Sequence, residues 1–332
     1  MSSPEIAVIV PVFNGAKYLP ACVESIAAQR FADFVCVLVD DGSTDKTPAL
    51  CDDIAAGDGR FVVVHKRNSG AAAARLTGVQ TARAYHPRWF AFCDADDLLH
   101  PDFLGEMHRA ATESGMPIAC CRRVLFTDDA VPAPGPLTAK FTLYSAPDHL
   151  DALLHNHDMD FGLWNKLYTA DLPLEELLDN NVLYNEDLMA NWRIFLLAKG
   201  CVYLPFAGYR YRQHAASMSH ALPPQSLDDQ RAVALHIRES VPAQWPALQQ
   251  SADAFYYEKL VYLTSMILRR EDTAPYRVQY GEMLIAISSG LKDRRLGRNP
   301  RLPLVMHLSA VATVRFPKLW RRLCQKYLKD RQ

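Results

Sequence analysis

The first 125 residues alternate short apolar segments with segments whose apolar residues recur at helical spacing. The strand-like segments are, in chain order, Ile6–Pro11, Phe34–Val39, Phe61–His65, Trp89–Cys93 and Ile118–Phe126. The helix-like segments lie between them, for example at Tyr18–Gln29 and at the alanine-rich Ala71–Arg83. Strands that alternate with helices are typical of an α/β fold with a mostly parallel central sheet flanked by helices. We therefore predict this fold class, followed by a C-terminal helical extension.

Two groups of carboxylates come directly after predicted strands. Asp40-Asp41 follows the second strand, and Asp94-Ala95-Asp96-Asp97 follows the fourth. The carboxyl ends of parallel strands meet at one edge of a sheet, where ligands bind, so we expect both groups at one site. A simpler interpretation is that each group is a solvated turn that begins the next helix. Carboxylates at this edge suit a hard divalent cation, and Asp41 suits hydrogen bonds from a base or a ribose.

The net charge hides an asymmetry between the two ends of the chain. The 332 residues carry a formal charge of −1, which argues against a protein held to nucleic acid by bulk charge. Residues 292–332, however, contain 12 Lys or Arg and two Asp or Glu, a net of +10. Residues 1–291 therefore carry −11, so an acidic body precedes a basic end.

The sequence also makes predictions about the compartment. The start has no basic region and no cleavage site of the kind that a signal peptide needs, and no apolar run reaches 18 residues. The eight cysteines contain no CxxC pair, which predicts buried free thiols in a reducing cytoplasm rather than a zinc site. We expect a cytoplasmic protein, with peripheral contact to the inner face of the cell membrane as an open alternative.

Four blocks of the sequence together resemble the family 2 inverting glycosyltransferases, which have the GT-A fold. The blocks are Ile9-Val10-Pro11-Val12-Phe13-Asn14, Val39-Asp40-Asp41-Gly42-Ser43-Thr44-Asp45, Asn68-Ser69-Gly70 with Ala74-Arg75, and Phe92-Cys93-Asp94-Ala95-Asp96-Asp97. The resemblance is firm over residues 5–125 and looser to about 220. It implies transfer of a sugar from a nucleotide-sugar donor, usually UDP-linked, with a Mn²⁺ or Mg²⁺ ion and with inversion at the anomeric carbon.

The resemblance assigns donor contacts to particular residues. Pro11, Val12, Phe13 and Asn14 resemble the first-strand residues around the uracil, and Asp41 resembles the acid that meets the base. Asn68 and Arg75 resemble residues near the nucleotide. Asp94 and Ala95 resemble contacts to the ribose or metal, Asp96 the main metal ligand, and Asp97 an acid that orients the loop or the donor sugar. It implies a nucleotide-sugar-binding part at 1–125, an acceptor and base part at 126–222, and a helical region at 223–332.

An inverting transfer needs a base that takes the proton of the acceptor hydroxyl. Glu186 and Asp187 stand at the start of an apolar helix, where acids also stabilise the helix dipole. They resemble the Glu-Asp pair of the family, which implies Asp187 as the base and Glu186 as its support or rival. The residue before the pair is often glycine in the family, and here it is Asn185.

Further residues are assigned by the segments on either side of this pair. Trp164 and Lys166 lie in a segment that resembles the family's acceptor side. Trp164 suits stacking on a sugar face, with a core aromatic as the alternative. Arg212 suits the diphosphate. His214 suits a further metal ligand, since imidazole favours Mn²⁺ over Mg²⁺, although a lone histidine is often structural.

Three other functions remain as alternatives. A polyprenyl-phosphate sugar transferase needs no base, and both the Glu-Asp pair and the lack of membrane-spanning segments disfavour it. A sugar-phosphate nucleotidyltransferase would need a glycine-rich loop with Arg or Lys after the first strand, where this chain has Asn14-Gly15-Ala16-Lys17. A catalytically inactive binding scaffold is disfavoured by the complete acidic set.

The basic end leaves two interpretations open. Residues 292–332 combine a basic excess with an apolar stripe that includes Trp320 and Leu323. The stripe fits either a helix that packs on the body with a solvated basic face, or an anchor on an anionic membrane surface. The second interpretation would suit a lipid-linked saccharide acceptor.

Overall fold

The computed structural model describes residues 3–128, 130, 133, 135, 137, 140–155, 159–178, 182–213, 223–293 and 297–327. The chain divides into two compact units, Met1–His214 and Ala215–Gln332. The first is built on a sheet with helices on its faces. The second is helical over its described residues.

The strands of the first unit join in one sheet. They are β1 (Ile6–Val12), β2 (Phe34–Asp40), β3 (Phe61–His65), β4 (Trp89–Phe92), β5 (Leu98–Leu99), β6 (Ile118–Phe126), β7 (Thr142–Ser145), β8 (Lys166–Thr169) and β9 (Gly200–Arg212). Their order is β3-β2-β1-β4-β8-β6-β9-β5, and β7 also pairs with β9. Strands β1 to β4 are parallel, β8 runs antiparallel to β4 and β6, and β6 is parallel to β9. The predicted α/β sheet flanked by helices is thus confirmed. The sheet is mixed, because β1–β4 and the β6/β9 pair are parallel whereas the pairings of β5, β7 and β8 are antiparallel.

Helices cover the faces of this sheet. They are α1 (Leu19–Ala27), α2 (Thr47–Gly57), α3 (Ala71–Arg83), α4 (Phe103–Ser114), α5 (Asp148–His155), α6 (Leu174–Leu178) and α7 (Glu186–Leu197). Strand β1 is buried on both faces because its alternate side chains meet different helices. Ile6, Val8 and Val10 belong to the core cluster that includes residues of α1 and α4.

The other face of β1 lies against α3 at very short range. A Cβ atom on Gly78 would lie 2.3 Å from Cγ2 of Ile9, so only glycine allows this approach of helix to sheet. Arg75 lies on the same buried side of α3, one turn before Gly78. The close packing therefore brings the Arg75 side chain to the carboxyl edge of the sheet.

The second unit consists of helices and one short 3-10 turn in its described residues. The elements are α8 (Pro224–Glu239), α9 (Pro246–Arg269), the 3-10 turn Ala274–Tyr276, α10 (Arg277–Lys292), α11 (Leu304–Arg315) and α12 (Pro317–Tyr327). Three of these helices begin with a proline, whose fixed φ and missing N–H suit the first turn. Its core includes Val233, Ile237, Leu260, Met283 and Ile287. None of the helices within the described ranges has the length and apolar character needed to cross a bilayer.

The cysteines agree with the thiol prediction. All eight are buried and unbridged. The Sγ atoms of Cys22 and Cys93 lie 3.7 Å apart. Burial keeps such thiols in their protonated form, as it does for Cys36, whose pKa it raises.

Candidate functional site at the carboxyl edge of the sheet

The ends of β1, β2 and β4 meet at one edge of the sheet. Val12 is in register with Asp40, and the N–H of Asp41 donates to the carbonyl of Val12 at 2.9 Å. On the other side of β1, the N–H of Cys93 donates to the carbonyl of Ile9 at 3.0 Å. The acidic loops that follow β2 and β4 therefore flank the end of β1, as the strand directions predict.

The loop after β1 is tied to the loop after β2 through Asn14. Its N–H donates to Oγ of Ser43 at 2.9 Å, and its Oδ1 accepts from the N–H of Thr44 at 2.8 Å. Asn14 adopts a positive φ of 51°, which asparagine tolerates better than most residues. Next to it the Phe13 ring is 52% exposed, while Val12 is buried and Pro11 is partly exposed. The edge thus presents a phenyl face to solvent.

Asp41 fixes the loop that precedes α3. Its carboxylate accepts hydrogen bonds from Nζ of Lys66 at 2.8 Å and from the N–H groups of Ser69 at 3.0 Å and Gly70 at 2.8 Å. Asn68 lies exposed in the same loop. Both carboxylate oxygens of the predicted base-contacting acid are therefore engaged in shaping this loop.

Arg75 joins the acidic loop after β4 to the start of α7. Its Nη2 donates to Oδ1 of Asp94 at 2.9 Å, and its Nη1 donates to Oδ1 of Asp187 at 2.7 Å and to Oε1 of Glu186 at 3.2 Å. The Arg75 side chain is 5% exposed, and the three carboxylates are 18–27% exposed. The residue predicted to lie near the nucleotide is therefore the centre of a largely buried ion cluster.

The cluster shifts the pKa values of its members. Burial opposes the charge of Arg75, but the adjacent Asp187, Asp94 and Glu186 outweigh it and raise its pKa. Burial also raises the pKa of Asp187 to about 7, against the attraction of Arg75 and with the repulsion of Glu186 adding to the rise. The pKa of Asp94 is raised for the same leading reason, burial.

A backbone contact and a left-handed residue complete the surroundings of Asp187. The N–H of Leu163 donates to its Oδ2 at 3.4 Å. Asn185, the residue before the pair, has a φ of 65°, a left-handed conformation that asparagine and glycine adopt more readily than other residues. The conformation explains why asparagine is accommodated where the family often has glycine.

Asp97 points away from solvent and holds the acidic loop on β9. Its Oδ2 accepts from the hydroxyl of Tyr209 at 2.7 Å, and its Oδ1 accepts from the N–H of Arg212 at 2.7 Å. The Tyr209 hydroxyl in turn accepts from the N–H of Asp94 at 3.1 Å. Burial raises the pKa of Asp97, and the nearby Asp94 and Asp96 add to the rise. These contacts support the loop-orienting role foreseen for Asp97.

The Arg212 side chain is buried among protein groups. Its Nε donates to the carbonyl of Asp96, its Nη1 pairs with Asp128, and its guanidinium lies 5.0 Å from the Tyr18 ring centroid and 4.6 Å from that of Phe126. Ala95 lies partly exposed just before Asp96. Arg212 thus shapes the acidic loop through Nε and Nη1.

The two predicted acceptor residues differ in their surroundings. Trp164 is 5% exposed and stacks on Tyr209 with ring centroids 4.5 Å apart. Lys166 is completely buried, and its ammonium donates to the carbonyls of Asp160 at 2.6 Å and Gly162 at 2.7 Å and to Oδ1 of Asn165 at 2.8 Å. The Lys166 ammonium therefore holds the segment ahead of the base, and its predicted place on the acceptor side stays a prediction.

The carboxylates at this edge fit one kind of metal site. In the described ranges, no group of three or more His, Cys, Asp or Glu side chains is placed to hold a metal ion. A divalent cation bound by one or two carboxylates and completed by substrate phosphates and water needs fewer protein ligands. Asp96 and Asp94, both partly exposed at the edge, suit such a site. The predicted ligand His214 lies outside the described residues.

Several residues of this site have no motif of their own in the sequence. Lys66 and Asp128 each neutralise a site residue through a contact between distant segments, and the backbone carbonyl of Asp160 positions Lys166. Tyr209 lies in a stretch of alternating aromatic and basic residues that ends at Arg212. This pattern does not indicate the contact of Tyr209 with Asp97.

The sequence and the fold both resemble known glycosyltransferases. Residues 7–164 match the sequence model described as glycosyl transferase family 2. The "Putative glycosyltransferase EpsH" of Bacillus subtilis is 28% identical over 222 residues, which cover 66% of this chain and 63% of the relative. The "Succinoglycan biosynthesis protein ExoO" of Rhizobium meliloti is 30% identical over 236 residues, which cover 68% and 65%. The chain thus spans slightly less than two thirds of the length of these relatives.

Solved structures of glycosyltransferases share the fold. Residues 1–349 of S. aureus TarS, in complex with UDP-GlcNAc, superpose with a TM-score of 0.69 at 19% identity, over 99% of this chain and 92% of TarS 1–349. The mannosyltransferase PcManGT of Pyrobaculum calidifontis, in complex with GDP-Man and Mn²⁺, superposes with a TM-score of 0.53 at 13% identity, over 96% and 89%. The GT-A fold implied by the sequence motifs is therefore confirmed. The sequence match therefore places residues 7–164 in glycosyl transferase family 2, and the chain shares the fold of these solved structures.

Proposed function

We propose that the protein transfers a sugar from a nucleotide-sugar, UDP-linked by preference, to a hydroxyl of a saccharide acceptor. The observation that carries this proposal is the Arg75 cluster, which joins the acidic loop at Asp94 to the base candidate Asp187. A donor site and a proton acceptor are thereby held at one edge of the sheet. TarS, which shares the fold, is described in complex with UDP-GlcNAc, and ExoO is named for the biosynthesis of succinoglycan, a polysaccharide.

The reaction is a single displacement at the anomeric carbon, with inversion. The acceptor oxygen forms the new bond to that carbon while the bond to the donor diphosphate breaks, and the electron pair leaves with the diphosphate. Asp187 takes the proton of the acceptor hydroxyl as the oxygen attacks. Its carboxylate suits this role because it is fixed by Arg75 and Leu163, and because its pKa of about 7 lies near physiological pH.

Glu186 supports Asp187 rather than replacing it. Its nearest Arg75 contact, at 3.2 Å, is longer than the 2.7 Å contact of Asp187. The negative charge of Glu186 also adds to the raised pKa of Asp187. We therefore assign the proton transfer to Asp187 and a tuning role to Glu186.

We propose Mn²⁺ or Mg²⁺ as the cofactor, held by Asp96 with Asp94 and, from the sequence resemblance, by His214. The cation would neutralise the charge that develops on the diphosphate. PcManGT, described in complex with GDP-Man and Mn²⁺, gives a precedent for the ion in this fold. Among this chain's own residues, Phe13 offers an aromatic face for the uracil of the donor, and Asn14 and Asp41 shape the loops around that position.

The acceptor is proposed to be a saccharide or a lipid-linked saccharide of surface polysaccharide or glycolipid synthesis. Trp164 is proposed to meet the acceptor through the small exposed part of its ring, because it adjoins Leu163 at the base. We further propose that residues 292–332, with their net charge of +10, bring the protein into peripheral contact with the inner face of the cell membrane.

A donor panel tests the proposal. Purified protein is incubated with individual UDP- and GDP-sugars, with Mn²⁺, Mg²⁺ or EDTA, and release of the nucleoside diphosphate is measured. We expect release from a UDP-sugar that EDTA abolishes. The variant Asp187→Asn is expected to bind the donor and to lose transfer to an acceptor. No release from any donor would instead favour an inactive binding scaffold, and transfer by Asp187→Asn at the wild-type rate would remove Asp187 as the base.

A further inference from the structure

The solvent-facing side of α12 combines basic and apolar side chains in one stripe. Lys318, Leu319, Arg322, Leu323 and Lys326 are exposed and recur at the one- and four-residue spacing that places side chains on one helical face. Leu319 is 58% exposed and Leu323 is 37% exposed. An ordinary solvated helix face would be polar throughout, so the exposed leucines between the cations need a partner.

A groove lies between α10 and α11 and reaches Pro317, the first residue of α12. It has a volume of about 460 Å³, and its walls include Leu284 and Ile285 of α10, Val314 of α11 and Pro317 of α12. Lys292 is part of its lining and is exposed at the end of α10. Ile285 is 72% exposed, which makes it one of the most exposed large apolar side chains in the described residues. The groove therefore offers apolar walls with a cation at one end.

The charge of the surrounding chain decides between possible occupants. Residues 297–327 contain seven Lys or Arg and no Asp or Glu. A second copy of the same surface would bring like charges together, which opposes self-association through this face. Nucleic acid would satisfy the cations but would leave the exposed leucines and Ile285 in water. An anionic bilayer satisfies both, because its phosphates meet the cations while apolar side chains enter the boundary of the acyl chains.

We infer that the exposed faces of α10 and α12, with the groove between α10 and α11, bind the surface of an anionic phospholipid bilayer. The inference rests on the proposed membrane contact of residues 292–332 and gives it a defined surface. Leu319, Leu323 and the neighbouring Phe316, which is 59% exposed, enter the bilayer boundary. Lys318, Arg322, Lys326 and Lys292 contact lipid phosphates, and an acyl chain lies along the apolar wall of the groove.

Flotation with lipid vesicles tests the inference. The full-length protein is mixed with vesicles of phosphatidylcholine alone or of phosphatidylcholine with phosphatidylglycerol, and the vesicle-bound fraction is measured. We expect binding to the phosphatidylglycerol vesicles only, with release at high salt because the screening length shortens. The triple variant Lys318→Glu, Arg322→Glu and Lys326→Glu should bind these vesicles about 100-fold more weakly or worse. Each cation near the surface contributes about 1 kcal/mol, which is about fivefold in affinity.

A matched pair of leucine variants separates the surface from a general effect. Leu319→Glu should abolish flotation, whereas Leu197→Glu, which changes a 57% exposed leucine at the end of α7, should not. Equal flotation of the charge-reversed and wild-type proteins, or equal loss in both leucine variants, would overturn the inference. Failure of the wild type to float with phosphatidylglycerol would overturn the membrane contact itself. Release of UDP without vesicles, measured on the same preparations, reports on the catalytic proposal separately and should be unchanged in these variants.

Discussion

Arg75 and Asp187 are 112 positions apart in the sequence, yet Nη1 of Arg75 lies 2.7 Å from Oδ1 of Asp187. The other terminal nitrogen of the same guanidinium lies 2.9 Å from Asp94. One buried cation therefore spans the gap between the proposed donor side and the proposed base. Because its fork geometry fixes both directions at once, the position of the base depends on the loop that would meet the donor.

Replacing Arg75 with lysine should separate the effect of its charge from the effect of its fork geometry. A lysine ammonium keeps the charge but cannot contact Asp94 and Asp187 in the fixed directions of the guanidinium. We expect kcat to fall about 100-fold, the order of loss for a catalytic group misplaced by about 1 Å. The free energy of unfolding should fall by about 1–3 kcal/mol, because a single ammonium leaves some hydrogen bonds to these largely buried carboxylates unmade. Transfer kinetics and thermal unfolding measure the two effects.

The same helix provides a control for this variant. Arg83 of α3 pairs with Glu175 at 2.7 Å, and its side chain is 33% exposed. Arg83→Lys should cost about 1 kcal/mol or less and should leave kcat unchanged. Wild-type kcat in Arg75→Lys, or an equal loss in both variants, would contradict a positioning role for Arg75.

The raised pKa of Asp187 predicts the direction of the pH dependence. A general base acts in its ionised form, so kcat/KM for transfer should increase with pH and level off above about 7, the pKa of Asp187 in the free protein. Well below that pH, kcat/KM should fall about tenfold for each pH unit. Removing the nearby charge by Glu186→Gln should move the midpoint to lower pH, because like-charge repulsion contributes to the raised pKa. A flat profile between pH 5 and 8 would exclude this assignment.

Local sequence signals sufficed to predict β1 to β4, β6 and the acidic loops, but not β5, β7, β8 or β9. The segments of β1 and β2 are continuous apolar runs, which indicate strands buried on both faces of a sheet. The turn residues after Asp40-Asp41 indicate where the second strand ends. Because strand direction follows from the βαβ order, the shared edge of the two acidic loops was also predictable.

Contacts between distant segments were not predictable from one sequence. Arg75 was expected near the nucleotide, but the side chain follows the buried face of α3, which the contact of Gly78 with Ile9 presses onto the sheet. Lys166 is a charged residue in an apolar strand, which is typical of a ligand-binding residue. Only the fold reveals the carbonyls that accept hydrogen bonds from its ammonium. In both cases the residue type is compatible with several contacts, and the contacts that form in the fold depend on packing.

The buried position of Lys166 leads to a test of its structural role. Lys166→Met keeps the approximate length of the side chain but removes the donor to the Asp160 carbonyl and to Oδ1 of Asn165, while the Gly162 carbonyl keeps its hydrogen bond from Asn191. Since such losses cost about 1–3 kcal/mol each, we expect clear destabilisation in thermal unfolding. Release of UDP from the donor in the absence of acceptor should be unchanged at temperatures where the variant is folded. A stable variant with a raised KM for the acceptor would instead restore the original prediction.

The turn after β2 predicts a variant that affects donor binding. Gly42 has a φ of 74°, and a Cβ atom there would lie 2.7 Å from the backbone nitrogen of Asn68. Gly42→Ala should therefore strain the turn and displace the 66–70 loop, which Asp41 otherwise holds. We expect the donor KM to rise about tenfold with little change in kcat, the pattern for loss of uniform binding. Gly59→Ala, where a Cβ atom would meet nothing within 4 Å, should have wild-type donor kinetics.

Tyr209→Phe should loosen the acidic loop without changing its carboxylates. The hydroxyl donates to Asp97 at 2.7 Å and accepts from the N–H of Asp94, so its removal leaves two polar groups without a partner that they have in the wild type. We expect a stability loss of about 1–3 kcal/mol. Because Asp96 lies between these two anchors, we also expect half-maximal activity to require about ten times more Mn²⁺, a factor that corresponds to about 1.4 kcal/mol.

Tyr168→Phe is the control for this variant, since the buried Tyr168 hydroxyl donates to Asn191 at 2.7 Å and not to the acidic loop. It should lose comparable stability and keep the wild-type Mn²⁺ dependence, so an equal shift in both variants would show that the effect comes from general destabilisation.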